Sequence, residues 1–270
     1  MTDRYAVIGN PVAHSRSPEI HACFARETGQ AMVYERLLAP LDGFRATVDA
    51  FRGSGARGAN VTLPFKIAAY QYADQLTARA RAAGAVNTLK FDGSRVLGDN
   101  TDGIGLCRDI IDNLNVPLAD ARILLIGAGG AARGVIGSLM SAGPQRISIT
   151  NRTMSRAEQI VKDFSTLGPV DAIPPAELPA QRFDIVINAT SASIDGNLPL
   201  ISGACFQPGM LAYDMMYGKG QTPFMARAAR ADARATDGLG MLVEQAAEAF
   251  HLWRGARPAT AAVIAQLRGA

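Results

Sequence analysis

The sequence predicts a two-domain α/β protein in which each domain is built on a mainly parallel sheet. The chain has 270 residues, close to the size at which one hydrophobic core stops growing and chains divide into domains. Short apolar runs alternate with helix-like patterns along both halves, and this alternation is typical of layered α/β structures with parallel strands. With 48% apolar and 19% charged residues, the chain can bury a sizeable core.

The N-terminal part alternates strands and helices and ends in a connecting helix. A periodic apolar pattern begins near Asp102 and stops at Asn115, with Pro117 beyond it, which predicts a helix joining two domains. The predicted elements before it are, in order, a strand at 5–8, a helix from Pro18, a strand at 33–39, a helix at 44–51 and a strand at 58–62. We therefore predict a first domain over residues 1–102.

The second part repeats the alternation and resembles a dinucleotide-binding unit. Its predicted elements are a strand at 122–126, a helix from Gly130, a strand at 146–150, a helix at 153–164, and strands at 184–188 and 210–214. The alanine-rich tail is mostly helical by pattern and comes too late to belong obviously to either sheet. We predict that residues 240–270 complete the first domain and that 103–239 form a Rossmann-like second domain.

Charge and cysteine content narrow the class of partner. The net charge of +3 is spread along the chain without runs of like charge, so neither nucleic acid nor a membrane surface is expected. Cys23, Cys107 and Cys205 form no Cys-x-x-Cys pair, which disfavours a disulfide framework or a zinc site and predicts buried thiols. We find no signal-like segment and no stretch of about eighteen apolar residues. We expect a cytoplasmic protein with a small-molecule partner.

A glycine-rich turn indicates a dinucleotide site. Gly127 and Gly129 follow the apolar run at 123–126, and a helical pattern begins at Gly130. Glycines allow the tight turn and the approach of a pyrophosphate, while the small Ala132 allows the helix to pack on the strand. We expect Gly127, Gly129, Gly130 and Ala131 to hold the pyrophosphate. A glycine turn without a ligand remains an alternative.

The end of the second strand of this unit favours NADP over NAD. An NAD site usually has an acidic residue there, whereas this chain has Asn151, Arg152, Thr153 and Arg156. Two arginines four residues apart at a helix start can bind a 2′-phosphate. The alternative is that Thr153 or Ser155 merely caps the helix and the arginines are solvated.

Polar residues in the first domain suit a small polyhydroxy substrate. They are Ser15, Ser17, Asn60, Thr62, Asn87 and Asp102. Ser17 before Pro18 is equally a good helix cap. The two asparagines are also plausible turn residues at strand ends, and Asp102 is a plausible cap of the connecting helix.

Nine stretches together resemble the shikimate dehydrogenase family over essentially the whole chain and in the same order. They are GNPVAHSRSPEIH from Gly9, NVTLPFK from Asn60, GAVNTL from Gly84, GDNTDGIG from Gly98, GAGGAARG from Gly127, NRT from Asn151, NATS from Asn188, YDMMYGKGQTPF from Tyr213 and DGLGMLVEQA from Asp237. We see no departure from the family pattern at a catalytic position. The resemblance implies reversible NADP-dependent reduction of 3-dehydroshikimate to shikimate, toward chorismate and the aromatic amino acids.

The resemblance also implies roles for individual residues. Lys66 and Asp102 would be the catalytic pair. Ser15 and Ser17 would bind the substrate carboxylate, and Asn60, Thr62, Asn87 and Gln245 its ring hydroxyls. Tyr217 would line the cleft near the substrate, and Thr190, Gly240 and Met241 would contact the cofactor.

The identity of residue 66 has a chemical reason. The chain has four lysines and twenty-three arginines, so a position needing only positive charge would more often hold arginine. Reducing a ketone requires a proton for the developing alkoxide, and arginine cannot supply it, because it does not lose its proton in proteins. An alternative role for Lys66 is to bind and orient the substrate.

Two other functions remain open at this stage. One is a relative that acts on quinate or on an amino analogue of shikimate and could use NAD. The other is a non-catalytic NADP sensor, because a fold does not fix a function. Either a monomer or a homodimer is expected.

Overall fold

The computed structural model describes residues 2–190, 192, 201–218 and 220–269. Ser191 of the NATS stretch and Lys219 of the YDMMYGKGQTPF stretch lie outside the described residues. The chain divides into two units. The first comprises Met1–Gly105 with Val243–Ala270, and the second is Leu106–Leu242.

The first unit contains a six-stranded sheet. Its strands are β1 (Asp3–Gly9), β2 (Met32–Leu38), β3 (Gly58–Val61), β4 (Gln75–Leu76), β5 (Thr88–Asp92) and β6 (Arg95–Asp99), in the spatial order β2-β1-β3-β5-β6-β4. β1 is parallel to both β2 and β3, and β4 is parallel to β6. Only β5 runs antiparallel to its neighbours, because a hairpin turn at Gly93 joins it to β6.

Helices of the first unit lie where the sequence predicts them, except for two short ones at 66–72 and 78–83 that were not predicted. They are α1 (Ser17–Thr28), α2 (Phe44–Gly53), α3 (Lys66–Tyr72), α4 (Ala78–Ala83), α5 (Asp102–Arg108) and, later in the chain, α9 (Leu239–Arg254) and α10 (Ala261–Arg268). α2 buries Phe44, Val48 and Phe51, whose spacing places them on one helical face. The predicted connecting helix is present: α5 continues into a π-helical turn at Asp109–Asn113, and the left-handed φ of 55° at Asn115 ends the helical segment.

The helical tail is anchored on the first sheet. Trp253 of α9 donates a hydrogen bond from Nε1 to Leu89 O at 3.0 Å and stacks on Tyr5 at 4.6 Å between ring centroids. Gly58 lies beneath it, and a Cβ there would stand 2.5 Å from Trp253 Nε1. Residues from Val243 onward accordingly belong to the first unit.

The second unit contains a fully parallel six-stranded sheet. Its strands are β7 (Arg122–Ile126), β8 (Arg146–Thr150), β9 (Val170–Ala172), β10 (Ile185–Asn188), β11 (Leu211–Asp214) and β12 (Arg234–Thr236), in the order β12-β11-β10-β7-β8-β9. Its helices are α6 (Gly130–Ser141), α7 (Met154–Phe164) and α8 (Pro223–Ala229). The central strands β7 and β10 are almost wholly buried, as expected for a parallel sheet covered on both faces. The predicted two-domain α/β fold with mainly parallel sheets is confirmed.

One prediction from composition needs correction. All three cysteines are free, and Cys107 and Cys205 are buried, but Cys23 is partly exposed. Cys23 lies on α1 with its Sγ 3.8 Å from Gln266 Oε1, so it sits at the edge of the packing between α1 and α10. Burial raises the pKa of the Cys107 thiol to about 12. Among the described residues, no helix combines the length and the apolar character that crossing a bilayer requires.

Candidate active site

The polar residues of the first unit meet at one edge of its sheet because of strand direction. β3 and β6 both end at this edge, and the antiparallel β5 begins there. The register pairs Asn60 with Thr88, and Thr88 with Asp99. Asn87, directly before β5, and Asp102, shortly after β6, are thus brought beside Asn60.

Lys66 and Asp102 form an ion pair at this edge. Lys66 Nζ donates a hydrogen bond to Asp102 Oδ2 at 2.6 Å. Each residue is the first of its helix, α3 and α5 respectively. The side chains are 29% and 12% exposed, so the pair is partly shielded from water while Lys66 remains accessible. A charged hydrogen bond of this length is stronger than a neutral one.

Asn87 holds the second oxygen of the Asp102 carboxylate. Its Nδ2 donates to Asp102 Oδ1 at 2.8 Å and to Thr101 Oγ1 at 3.0 Å. Its Oδ1 accepts from Thr101 N and from Thr88 Oγ1, both at 2.9 Å. Two donors and two acceptor positions are the full capacity of an amide side chain. Asn87 therefore orients Asp102, leaving Oδ2 for Lys66.

The amide of Asn60 is also fixed in one orientation. Its Nδ2 donates to Thr88 Oγ1 at 3.0 Å and to Asn87 O at 3.3 Å, and its Oδ1 accepts from Tyr34 Oη at 2.8 Å. A backbone carbonyl can only accept, so the nitrogen must face Asn87 O. Both amide hydrogens are used, and Oδ1 keeps one acceptor position.

An aromatic cluster supports Tyr34. The His21 ring stacks on Tyr34 at 4.2 Å and is wholly buried. Burial raises the pKa of Tyr34 well above its usual range, with a smaller opposing effect from the Ser17 hydroxyl, so Tyr34 remains a hydrogen-bond donor. Burial also lowers the pKa of His21 to about 3, slightly opposed by Asn60. Neither ring nitrogen of His21 has a hydrogen-bond partner in the described part of the chain.

Gln245 joins the same network from α9. Its Oε1 lies 3.3 Å from Thr101 Oγ1 and 3.4 Å from Asn87 Nδ2. The approach depends on Gly105 of α5, because a Cβ there would stand 2.7 Å from both Gln245 Cβ and Gln245 N. Two helices can thus meet closely where Gln245 faces the end of the sheet.

Ser15 and Ser17 form a hydroxyl pair before and at the start of α1. Ser15 Oγ donates to Ser17 Oγ at 3.2 Å and accepts from Ser17 N at 3.3 Å. Arg36 fixes this loop by donating to Ser15 O at 2.6 and 2.9 Å. The capping alternative for Ser17 is wrong: α1 begins at Ser17 itself, and no side chain caps it.

Thr62 packs closely against β1. A Cβ on Gly9 would stand 2.4 Å from Thr62 Cγ2, so only glycine allows this approach. Thr62 N donates to Ile8 O at 2.9 Å, which ties the loop after β3 to β1. The Thr62 hydroxyl has no hydrogen bond to any described residue.

The geometry of the glycine-rich turn fits a dinucleotide pyrophosphate. Gly127 has a φ of 106°, and a Cβ there would stand 2.9 Å from Thr190 Cγ2. A Cβ on Gly129 or Gly130 would meet nothing within 4 Å, so the backbone is open where a phosphate would approach. α6 begins at Gly130, and the first N–H groups of a helix have no intrahelical acceptor. Thr190 is fixed beside the turn by its hydrogen bond from Oγ1 to Asn188 Oδ1 at 2.7 Å.

The segment after β8 is exposed and cationic. Arg152 and Arg156 are exposed and form no ion pair with another described residue. Asn151 Nδ2 donates to Thr153 O at 2.9 Å and shapes the turn before α7. Thr153 occupies the cap position of α7, but its side chain makes no capping hydrogen bond, which removes one alternative to phosphate binding.

Gly240 and Met241 have a packing role in the second unit. A Cβ on Gly240 would stand 1.9 Å from Asp109 Oδ1. Tyr213 Oη donates to Asp109 Oδ2 at 2.6 Å and accepts from Met241 N at 3.3 Å. The glycine is thus required for contact with Asp109, whatever else it binds. Tyr217 follows β11 and is 39% exposed.

Three family models match the chain in order. The shikimate dehydrogenase substrate binding domain matches residues 7–89, shikimate / quinate 5-dehydrogenase matches 109–195, and the shikimate 5'-dehydrogenase C-terminal domain matches 238–268. The chain belongs to the shikimate dehydrogenase family.

Individual proteins are similar to this chain over nearly their full length. A curated shikimate dehydrogenase (NADP(+)) of Herminiimonas arsenicoxydans is 58% identical, with 99% of this chain and 98% of that one aligned. The crystal structure of an Ael1 enzyme from Pseudomonas putida is 47% identical, with a TM-score of 0.95 and 98% of each chain covered. A shikimate dehydrogenase from Thermus thermophilus, solved with NADP(H) and shikimate, is 32% identical, with a TM-score of 0.90 and 99% of each chain covered.

Several residues that shape the site were not predicted from the sequence. They are Tyr34, Thr88, Thr101 and Gly105. A sequence signal existed for two of them, because Thr88 and Thr101 stand in polar runs beside strands. Tyr34 had no local signal, since its partner Asn60 lies 26 residues away.

Proposed function

We propose that this chain catalyses the reversible NADPH-dependent reduction of 3-dehydroshikimate to shikimate, a step of aromatic amino acid (chorismate) biosynthesis. The observation that carries the proposal is the short, partly shielded ion pair of Lys66 and Asp102 inside a network with Asn87 and Gln245. It supports the proposal because the ammonium group of Lys66 lies beside polar groups suited to a polyhydroxy ring.

Lys66 acts as the general acid in the direction of reduction. NADPH supplies the hydride when bound. Lys66 Nζ donates a proton to the oxygen of the substrate carbonyl as negative charge develops there, and it takes that proton back in shikimate oxidation. Asp102 Oδ2 holds the ammonium in position, while Asn87 keeps the carboxylate from rotating by binding Oδ1.

The remaining polar groups of the first unit bind the substrate. The hydroxyl pair of Ser15 and Ser17 binds its carboxylate. Thr62 contacts a ring hydroxyl, and Gln245 contacts another. Asn60 accepts a hydrogen bond from the substrate through Oδ1, because both of its amide hydrogens are used within the protein. Asn87 contributes by orienting Asp102, and Tyr217 is a further substrate-binding candidate, as the resemblance implies.

The second unit binds NADP. Gly127, Gly129, Gly130 and Ala131 meet the pyrophosphate, and Thr190 and Met241 with Gly240 contribute cofactor contacts. Arg152 and Arg156, with Asn151 and Thr153, bind the 2′-phosphate by charge-assisted hydrogen bonds. This assignment makes 103–239 the cofactor domain, and 1–102 with 240–270 the substrate domain. We place the enzyme in the cytoplasm as a monomer or a homodimer, which sedimentation would distinguish.

Quinate is the second candidate substrate. The model that matches 109–195 describes both shikimate and quinate dehydrogenases. Quinate carries one hydroxyl more on a saturated ring, and the Ser15–Ser17 pair beside the carboxylate does not by itself decide between the two acids.

A four-way turnover assay tests the proposal. Purified protein is given shikimate with NADP, shikimate with NAD, and quinate with each, and the absorbance of reduced nicotinamide is followed. We expect turnover on shikimate strongly favouring NADP. Preference for quinate would mean that quinate, and not shikimate, is the substrate. Absence of turnover with every pair, despite tight NADP binding, would support the sensor function instead.

A further inference from the structure

Asp99 is a wholly buried carboxylate with four hydrogen-bond donors. It ends β6 and is 0% exposed. Arg79 donates to it through Nε at 2.7 Å and through Nη2 at 2.5 Å, one to each oxygen. Thr77 Oγ1 donates at 2.5 Å, and Asn100 N donates at 2.8 Å. Arg79 therefore satisfies a buried charge with the planar fork that only arginine provides.

The Asp99 interaction extends to the backbone of Asp102. Asn100, whose N–H is bound by Asp99, accepts a hydrogen bond from Asp102 N at Oδ1, at 3.1 Å. Its Nδ2 donates to Ala85 O at 3.1 Å, and the residue is 2% exposed. The position at which α5 starts, and with it the Asp102 carboxylate, depends on this chain of hydrogen bonds.

Arg79 also reaches the helix that carries Gln245. Its third donor, Nη1, binds Glu248 Oε1 at 2.9 Å. Glu248 lies three residues after Gln245 on α9, so the two side chains share a helix face. Arg257 binds the other oxygen of Glu248 at 2.6 Å from the more exposed side. Burial lowers the pKa of Arg79, but Asp99 and Glu248 outweigh this, so its pKa is raised and it stays charged.

We propose that Arg79 is a positioning residue that couples the two sides of the active site. One guanidinium fixes the 99–102 loop, which places Asp102, and the turn of α9 that places Gln245. The inference rests on the proposed function, because it takes Asp102 and Gln245 as the groups that act on shikimate. Arg79 itself touches no substrate.

The two arms of the coupling predict different kinetic effects. Glu248→Met removes the α9 arm together with the Arg257 ion pair, and it leaves Arg79 paired with Asp99. We expect the KM for shikimate to rise about tenfold, with kcat and the KM for NADP within twofold of the unaltered chain. Arg79→Lys keeps a charge beside Asp99 but loses the fork, so we expect kcat to fall about tenfold or more in addition to the rise in KM. Arg257→Met is the matched control and stays within twofold throughout.

A double-substitution cycle separates positioning from a general loss of stability. In a Gln245→Ala chain, adding Glu248→Met is expected to change the KM for shikimate less than twofold, because the group that Glu248 positions is already gone. Independent, multiplicative effects of the two substitutions would overturn the proposal. A Gln245→Ala chain with an unchanged KM would overturn the α9 arm in the same way.

Amide hydrogen exchange gives a readout that does not need turnover. Arg79→Lys is expected to speed exchange both at 100–102 and at 245–248. Faster exchange confined to residues near 79 would overturn the coupling. If the unaltered chain fails to turn over shikimate, the proposed function is wrong. The exchange result would still decide whether Arg79 couples the two segments.

Discussion

At the scale of single residues, hydrogen-bond capacity decides which polar groups can meet a ligand. Asn60 and Asn87 look equivalent in the sequence, but the structure gives them different tasks. The side-chain amide of Asn87 uses all its donor and acceptor positions in hydrogen bonds within the protein. Asn60 keeps one acceptor position free on Oδ1. The roles that the resemblance implies for the two residues are therefore unequal.

Replacing Lys66 tests proton transfer directly. Both Lys66→Met and Lys66→Arg are expected to lower kcat by about 10²–10⁴-fold, the usual contribution of a positioned acid or base. Arginine keeps the charge beside Asp102 but cannot give up its proton. Steady-state kinetics of shikimate oxidation measure the effect, and Lys90→Arg on β5 serves as the control.

The outcome for arginine discriminates between two roles for Lys66. A Lys66→Arg chain with near-normal kcat and a raised KM would mean that the residue binds and orients the substrate. A chain with normal kcat and normal KM would remove Lys66 from the active site altogether.

His21 makes the stability of the first unit depend on pH. Burial lowers the pKa of His21 from 6.5 to about 3. Below pH 6.5, His21 therefore binds a proton in the unfolded chain but not in the folded chain. The free energy of unfolding is therefore highest above pH 6.5 and falls as the pH drops toward 3. Between pH 6.5 and 5, this group alone costs about 2 kcal/mol, at about 1.4 kcal/mol per pH unit.

Urea unfolding at pH 7 and pH 5 measures this dependence. Trp253, the single tryptophan, reports on the first unit because its ring lies 5.4 Å from His21. His21→Phe should lose about 2 kcal/mol less stability than the unaltered chain between the two pH values. Replacing the exposed His251 by glutamine is the control. Equal losses in the His21→Phe and unaltered chains would show that another group causes the pH dependence.

At the scale of elements, the site depends on where strands end and helices begin. β7, β8 and β10 are parallel neighbours, so the turns that follow them meet at one edge of the second sheet. The Gly127 turn follows β7, the Arg152 segment follows β8, and Thr190 follows β10. Under the proposed function, each of these segments supplies a few residues to one cofactor site.

The Arg152 segment should determine the choice of nucleotide. Arg152→Ala is expected to raise the KM for NADP about 10- to 100-fold, because a hydrogen bond to a charged group contributes about 1.5–3 kcal/mol. The KM for NAD, which lacks the 2′-phosphate, should stay within twofold. Parallel assays with both cofactors measure this, and Arg182→Ala, an exposed arginine elsewhere in the same unit, is the control. Equal losses with NADP and NAD would assign Arg152 a structural role.

At the scale of the whole molecule, the residues proposed to bind the substrate and those proposed to bind the nucleotide lie mainly in different units. The residues proposed for substrate chemistry lie in Met1–Gly105 and Val243–Ala270, except Tyr217, and the residues proposed for the nucleotide lie in Leu106–Leu242. The first unit is discontinuous in the chain, since its last segment, Val243–Ala270, follows the whole second unit.

Amide hydrogen exchange should show that each ligand protects residues of a different unit. Shikimate alone is expected to slow exchange around 60–62, 87–88 and 100–102, and NADP alone around 127–133 and 151–157. A ligand present at a hundred times its Kd stabilises the folded state by about 2.7 kcal/mol, which is ample for detection. Protection of 127–133 by shikimate alone would contradict the assignment of substrate to the first unit.

Much of the fold was accessible from local patterns. Helix α6 starts at Gly130 and strands β7 and β8 have the predicted limits, because glycine and apolar periodicity act over a few residues. Strands β4, β5, β6, β9 and β12 were not predicted. β5 and β6 form a hairpin with Gly93 at a φ of 55°, and the Asp92-Gly93 pair is a turn signal that was present in the sequence.

The sequence by itself determined the fold class, the glycine turn, the cationic segment after β8 and the candidate pair of Lys66 and Asp102. Each depends on residue type and on neighbours a few positions away, or on a resemblance that residue types carry. Only the tertiary structure decided which hydrogen bonds are already used, that Tyr34 orients Asn60, and that Arg79 reaches Glu248 across 169 positions. Such contacts depend on strand order and register, since these bring distant parts of the chain within the 3 Å reach of a hydrogen bond.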